Sequence, residues 1–125
     1  MSYKLVWEPN GIYWKYNGKV SGKEIVDAST SVYGDPRFDN INYKLVDFLD
    51  IQSVDMTDNE IALLACQHKA AEQSRQNVKN AIVIGSGKDE VAKKFAAFFS
   101  DSSWEVKIFD NLDDANDWVG REPHN

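Results

Sequence analysis

Two periodicities alternate along this chain, and the alternation limits the folds open to it. Short runs with strand character, residues 43–49, 80–84 and 104–109, are separated by stretches whose apolar residues recur at helical spacing. Strands that alternate with helices pair in parallel through crossovers, in one sheet with helices packed on it. Asn80-Ala81-Ile82-Val83-Ile84 is the clearest buried strand.

Caps and breaks supply the rest of the order. Residues 3–7 alternate polar and apolar, Pro9-Asn10-Gly11 is a turn signal, and residues 12–16 form a second strand. These two strands predict an opening antiparallel hairpin, with Asn17-Gly18 breaking the run. Ser21-Gly22-Lys23-Glu24 has the capping-box pattern, and Ile25, Ala28, Ser29 and Val32 follow at helical spacing. This predicts a helix over 21–33, stopped by Gly34 and Pro36. Thr57-Asp58-Asn59-Glu60 is a second capping box, opening a helix to about residue 75 with Ile61, Leu64, Ala65 and His68 on one face. Val91, Phe95 and Phe98 are expected to set one face of a third helix, with Ala92, Ala96 and Phe99 alongside. A short helix over 112–119 begins among acids, which suit its positive end. The tail, residues 121–125, is expected to fray. The expected architecture is α/β in the order ββαβαβαβα: a mixed five-stranded sheet with four helices, as a single domain over residues 1–125.

Composition narrows the function classes. A net charge of -6 argues against general affinity for nucleic acid or anionic membrane. The charge is uneven: residues 35–60 carry seven acids against Arg37 and Lys44, whereas residues 67–94 carry six bases against three acids. Residues 101–122 return to seven acids against Lys107 and Arg121. Cys66 is the single cysteine, so no internal disulfide forms, which fits a reducing compartment. The opening MSYKLVWEPNG lacks a signal-peptide pattern, and no apolar run approaches the ~20 residues needed to span a bilayer. The expectation is a soluble cytoplasmic protein.

Candidate functional residues gather where strands hand over to helices. The strand over 43–49 is expected to end in Asp50, with a loop running on to Asp58. Lys44 and Asp47 stand inside that strand and demand an explanation, since central strands are apolar. A spacing of three puts Asp47 and Asp50 on opposite faces of an ideal strand. With Asp55 and Asp58 they offer several oxygens, but no EF-hand spacing is present, so no metal is expected. His68 and Glu72 stand four apart on one helix face, a spacing two metal ligands would share, although a structural histidine is the plainer reading. Cys66 reads as a small buried residue with no base or oxyanion site to make it a nucleophile.

Gly85-Ser86-Gly87-Lys88 follows a buried strand and precedes a helix, the context in which a turn can cradle phosphate. Both nucleotide fingerprints fail here: Asp89 stands where the Walker pattern needs Ser or Thr, and the dinucleotide pattern lacks its third glycine. Ser86 or Gly87 as a helix cap explains the text without a ligand. Of Phe95, Phe98 and Phe99, two are expected to pack on the sheet and one to face elsewhere. A chain of 125 residues leaves little spare volume for a deep cavity.

The element order is similar to that of the STAS domain, the anti-sigma-factor-antagonist fold. It more closely resembles the bacterial SpoIIAA-like (STAS/CRAL-TRIO-like) proteins. The resemblance rests on Gly18, Gly22-Lys23-Glu24, Asp35-Pro36-Arg37-Phe38-Asp39, residues 43–50, Trp104-Glu105-Val106-Lys107-Ile108-Phe109 and Leu112-Asp113-Asp114-Ala115. It implies a regulatory, non-enzymatic module without a cofactor, presenting residues 50–58 and the following helix to a protein partner. In antagonist STAS proteins a Ser or Thr near the start of the second helix is phosphorylated, and Ser53 and Thr57 fall in the matching segment. The text around them lacks the expected glycine, and Asp55 and Asp58 would repel a phosphate. Ser53, Asp55, Thr57 and Asp58 are thus the partner-binding or phosphorylation candidates. Asp50 and Gly85 through Lys88 are the ligand-binding ones. The similarity to CRAL-TRIO lipid carriers implies an alternative, a small apolar ligand held near Phe95 and Phe99. The hairpin edge and the aromatic helix also offer surface for a homodimer.

Overall fold

The computed structural model describes residues 3–122. Five strands line up in chain order: β1 (Tyr3–Glu8), β2 (Gly11–Ser21), β3 (Tyr43–Asp55), β4 (Lys79–Val83) and β5 (Glu105–Phe109). The β1–β2 hairpin is antiparallel, and the other three pairings are parallel. The helices are α1 (Gly22–Thr30), α2 (Asp58–Glu72), α3 (Glu90–Ala96) and α4 (Leu112–Val119). The predicted order is the one found.

A sheet that advances strand by strand in one direction keeps its crossovers on one face. Accordingly, α1, α2 and α3 bury Ile25, Ala28, Ile61, Leu64, Ala65, Ala92 and Phe95 against Ile12, Trp14, Tyr16 and Ile82. The opposite face needs its own cover. There α4 lays Ala115 over Tyr43, Leu45, Ala81 and Val83. Strand period two therefore assigns each β3 side chain to a compartment: Lys44 goes to the three-helix side, and Tyr43, Leu45 and Asp47 to the α4 side.

Both predicted capping residues cap. Ser21 Oγ accepts from Glu24 N at 3.2 Å. Thr57 Oγ1 accepts from Glu60 N at 3.1 Å, and Glu60 Oε1 accepts in return from Thr57 N at 2.9 Å. The helix expected over 21–33 ends at Thr30 and closes in turns, and the helix expected to reach residue 75 ends at Glu72.

Several expectations are corrected. Asn17-Gly18 does not break β2, which continues to Ser21. Gly18 takes φ +69°, a conformation open to glycine, where the ladder is irregular. Correspondingly β3 does not end at Leu49. It runs to Asp55, so the loop expected from Asp50 to Asp58 is strand for most of its length, with Met56 and Thr57 joining it to α2. Two register shifts explain this: residues 47–50 of β3 face residues 15–17 of β2, and residues 51–53 face residues 18–19. Each shift inserts one extra residue into β3 and blurs its alternation.

The first shift also turns Asp50 to the side of Asp47. Rather than facing opposite ways, both carboxylates meet Lys15 Nζ, at 3.2 and 2.9 Å. Asp47 further accepts from Tyr13 OH at 2.7 Å and from Leu49 N at 3.0 Å, which explains a buried acid inside a strand.

The expected frayed tail is corrected for Arg121, while residues 123–125, including His124, lie outside the described residues. The Arg121 side chain is 5% exposed and grips Glu8, itself 4% exposed, through Nε at 2.8 Å and Nη2 at 3.0 Å. Asn116 Oδ1 accepts from Nη1 at 2.9 Å, and Tyr43 OH donates to Glu8 Oε1. Cys66 is exposed rather than buried, because it stands on the side of α2 away from the Ile61–Leu64–Ala65–His68 stripe.

Candidate functional site: an apolar cavity beside a buried lysine

Between the sheet and the three crossover helices lies a cavity of about 80 Å³. Its walls are overwhelmingly apolar: Trp14 and Val46 from the sheet, Leu64 from α2, and Ala92 and Phe95 from α3. Half-buried Phe48, Val54, Met56 and Val91 stand at its margin. A liquid water takes roughly 30 Å³, so the space suits a fragment of a few heavy atoms.

Lys44 lines this cavity and is 2% exposed. The strand's period aims it there, on the side opposite Leu45. Its Nζ lies 2.9 Å from His68 Nε2. His68 Nδ1 lies 2.9 Å from the Leu64 carbonyl, which can only accept, so Nδ1 carries the proton and Nε2 offers its lone pair to Lys44. Around Nζ stand the rings of Trp14, Tyr33 and Trp104, with centroids at 5.3, 5.5 and 5.5 Å. Aromatic faces attract a cation and explain how an amine is tolerated here.

No acid lines the cavity. Burial holds Lys44 at about 7, far below the ordinary 10.5 of lysine. Burial, and then the Lys44 charge, press His68 well below the ordinary imidazole range, so the ring is neutral. Trp14 Nε1 is likewise buried and has no hydrogen-bond partner among the described residues.

The residues singled out from the sequence sit elsewhere. Ser53 and Asp55 are exposed on β3, and Thr57 is occupied as a helix cap. Asp58 pairs with Lys94 at 3.1 Å. Gly85-Ser86-Gly87-Lys88 does form a tight turn, closed by Lys88 N donating to Gly85 O at 3.1 Å, with Gly87 at φ +89°. Neither Ser86 nor Gly87 caps α3: Asp89 stands at its N-cap and makes no side-chain capping bond. Lys88 Nζ turns back to donate to Ile51 O at 3.1 Å, which places this turn beside β3 near Asp50. Ser86 also borders Asp89, Asp110 and Asp114, acids that disfavour phosphate at the turn. Among the described residues no group of three or more His, Cys, Asp or Glu is placed to hold a metal ion. His68 and Glu72 part company: His68 points into the core, and Glu72 accepts from Ser102 Oγ at 2.6 Å and Ser103 N at 2.8 Å. Of the three phenylalanines two are buried and one is exposed, the expected count, but the exposed one is Phe98, which the sequence put on one face with Phe95: α3 ends at Ala96, and a 3-10 turn over Ala97–Phe99 buries Phe99 instead.

Lys44 and Trp14 are what the residue-by-residue reading missed as site residues. The signal was the misfit itself, a lysine inside a strand otherwise buried. The partners that give it meaning come from four separate segments.

Among the described residues no helix is long and apolar enough to cross a membrane. No family model matches the chain, and no curated protein matches it. Among solved structures it is similar to the crystal structure of an uncharacterised protein of the DUF3478 family with a SpoIIAA-like fold, from Shewanella loihica PV-4. The TM-score is 0.55 at 17% identity, over 94% of this chain and 91% of that one. Such a likeness speaks for architecture and leaves activity open. With its element order, sheet topology and this structural neighbour in agreement, the chain is an α/β protein of the SpoIIAA-like fold.

Proposed function

We propose that this chain is a non-enzymatic binding protein whose ligand is a small, largely apolar molecule held between the sheet and α1, α2 and α3. The observation that carries the reading is the apolar cavity of about 80 Å³ with Lys44 and His68 in its wall. Apolar pockets with a few placed polar groups are the usual form of small-molecule sites. The other reading, a protein partner docked on residues 50–58, would use a surface that is strand over 50–55 and paired with β2 there.

The test is an NMR titration of the folded protein with n-butanol as an apolar probe. Saturable shifts at the Trp14 indole N–H and the Ile82 and Phe95 amides are expected. Ala92→Phe, checked for folding by circular dichroism, should fill the space and abolish them. Shifts that are absent, or scattered over the surface without saturation, would refute the cavity reading.

A further inference from the structure

We infer that the ligand of this cavity is a short aliphatic monocarboxylate, its carboxylate held by Lys44 and Trp14 and its chain lying along Val46, Ile82 and Phe95. The inference rests on the binding reading above and adds the chemistry of the ligand's head.

Three observations converge. The first is a surplus of donors. Lys44 carries up to three N–H bonds, and the hydrogen-bond partner found for it is His68 Nε2 at 2.9 Å. The rings of Trp14, Tyr33 and Trp104 stabilise its charge but give no lone pair for the remaining N–H bonds. The second is Trp14 Nε1, a donor with no hydrogen-bond partner among the described residues, on a residue that is 2% exposed. Its ring centroid is 5.3 Å from Lys44 Nζ, and both residues line the cavity. Buried donors of this kind are normally satisfied. The third is charge: Lys44 is cationic when protonated, and the lining contains no Asp or Glu to balance it.

A carboxylate answers all three at once. It brings one negative charge and two acceptor oxygens, and its charge-assisted bonds to Nζ–H and Nε1–H are the stronger kind. The rest of the lining is mostly hydrocarbon, with Ser29 and Asn80 among it, and the volume limits the length of the chain it can hold. An alcohol can accept hydrogen bonds as well but brings no charge to balance that of Lys44.

The experiment compares butanoate and pentanoate with the alcohols of equal length by calorimetry and NMR at pH 6. In the native chain each acid should bind about tenfold or more tighter than its alcohol, since charged hydrogen bonds in a dry site are roughly twice as strong as neutral ones. Lys44→Met, similar in length and apolar, should erase that preference while alcohol binding survives. Trp14→Phe should weaken the acids several-fold and leave the alcohols nearly unchanged. Alcohols binding as tightly as acids would overturn the carboxylate and leave the cavity reading standing. Failure of every probe to bind the native, folded chain would overturn both.

Discussion

Lys44 Nζ and His68 Nε2 meet at 2.9 Å in the interior, two basic groups with no acid between them. Two bases in contact cannot both hold a proton cheaply. One keeps its lone pair for the other, and the outcome is written in the pH dependence of folding.

Between about pH 7 and pH 10.5 the unfolded chain keeps a proton on Lys44 that the folded chain has released. Stability should therefore rise with pH through this window, and the full penalty should stand below it. A fall from 10.5 to about 7 corresponds to roughly 5 kcal/mol. His68 adds a second slope: below about pH 6.5 the unfolded ring takes a proton that the folded one refuses, so stability falls again on acidification. Tyr33, the other titratable group facing Lys44, is pushed up to about 12 by burial and stays neutral throughout. Urea unfolding from pH 5 to about pH 9 should show both slopes in the native chain. In Lys44→Met the upper slope should vanish, and an unchanged slope would assign it to another group.

Removing Arg121 takes the guanidinium fork away from a buried carboxylate. Glu8 would keep the Tyr43 hydroxyl but lose its cation, and breaking one side of a buried pair costs about 3–5 kcal/mol. Arg121→Met should lower stability by that order in urea melts. Adding Glu8→Gln should recover part of it, and a double-mutant cycle without coupling would contradict the pairing.

The cap at Thr57 is a cheaper interaction. Thr57→Ala should cost about 1 kcal/mol by losing the bond to Glu60 N, whereas Thr57→Ser should cost little. A loss well beyond that from the alanine variant would mean that the hydroxyl does more than start α2.

Cys66 is exposed on the outer side of α2. A disulfide reagent should therefore titrate one thiol in the native protein without denaturant. Reaction that appears only on unfolding would restore the buried position expected from the sequence.

The sequence was most legible where local chemistry decides. The capping boxes at Ser21 and Thr57 mark real helix starts because their bonds lie within three residues. It was less legible where the ladder is irregular: Asp50, Gln52 and Ser53 interrupt the alternation that would have announced the rest of β3, because two extra residues shift its phase. The outward position of Cys66 was available from the helical stripe itself. The anchoring of Arg121 was not, since Glu8 lies at the other end of the chain. For Lys44, sequence shows only that a charge sits in an apolar strand. Its surroundings, Trp14 from β2, Tyr33 beyond α1, His68 from α2 and Trp104 before β5, meet only through the topology.

The Glu8–Arg121 fork joins positions 113 residues apart. During synthesis the first hairpin leaves the ribosome long before its cation exists. The turn after α4 works as a latch: it fastens the edge strand β1 only once the whole sheet between them has been made.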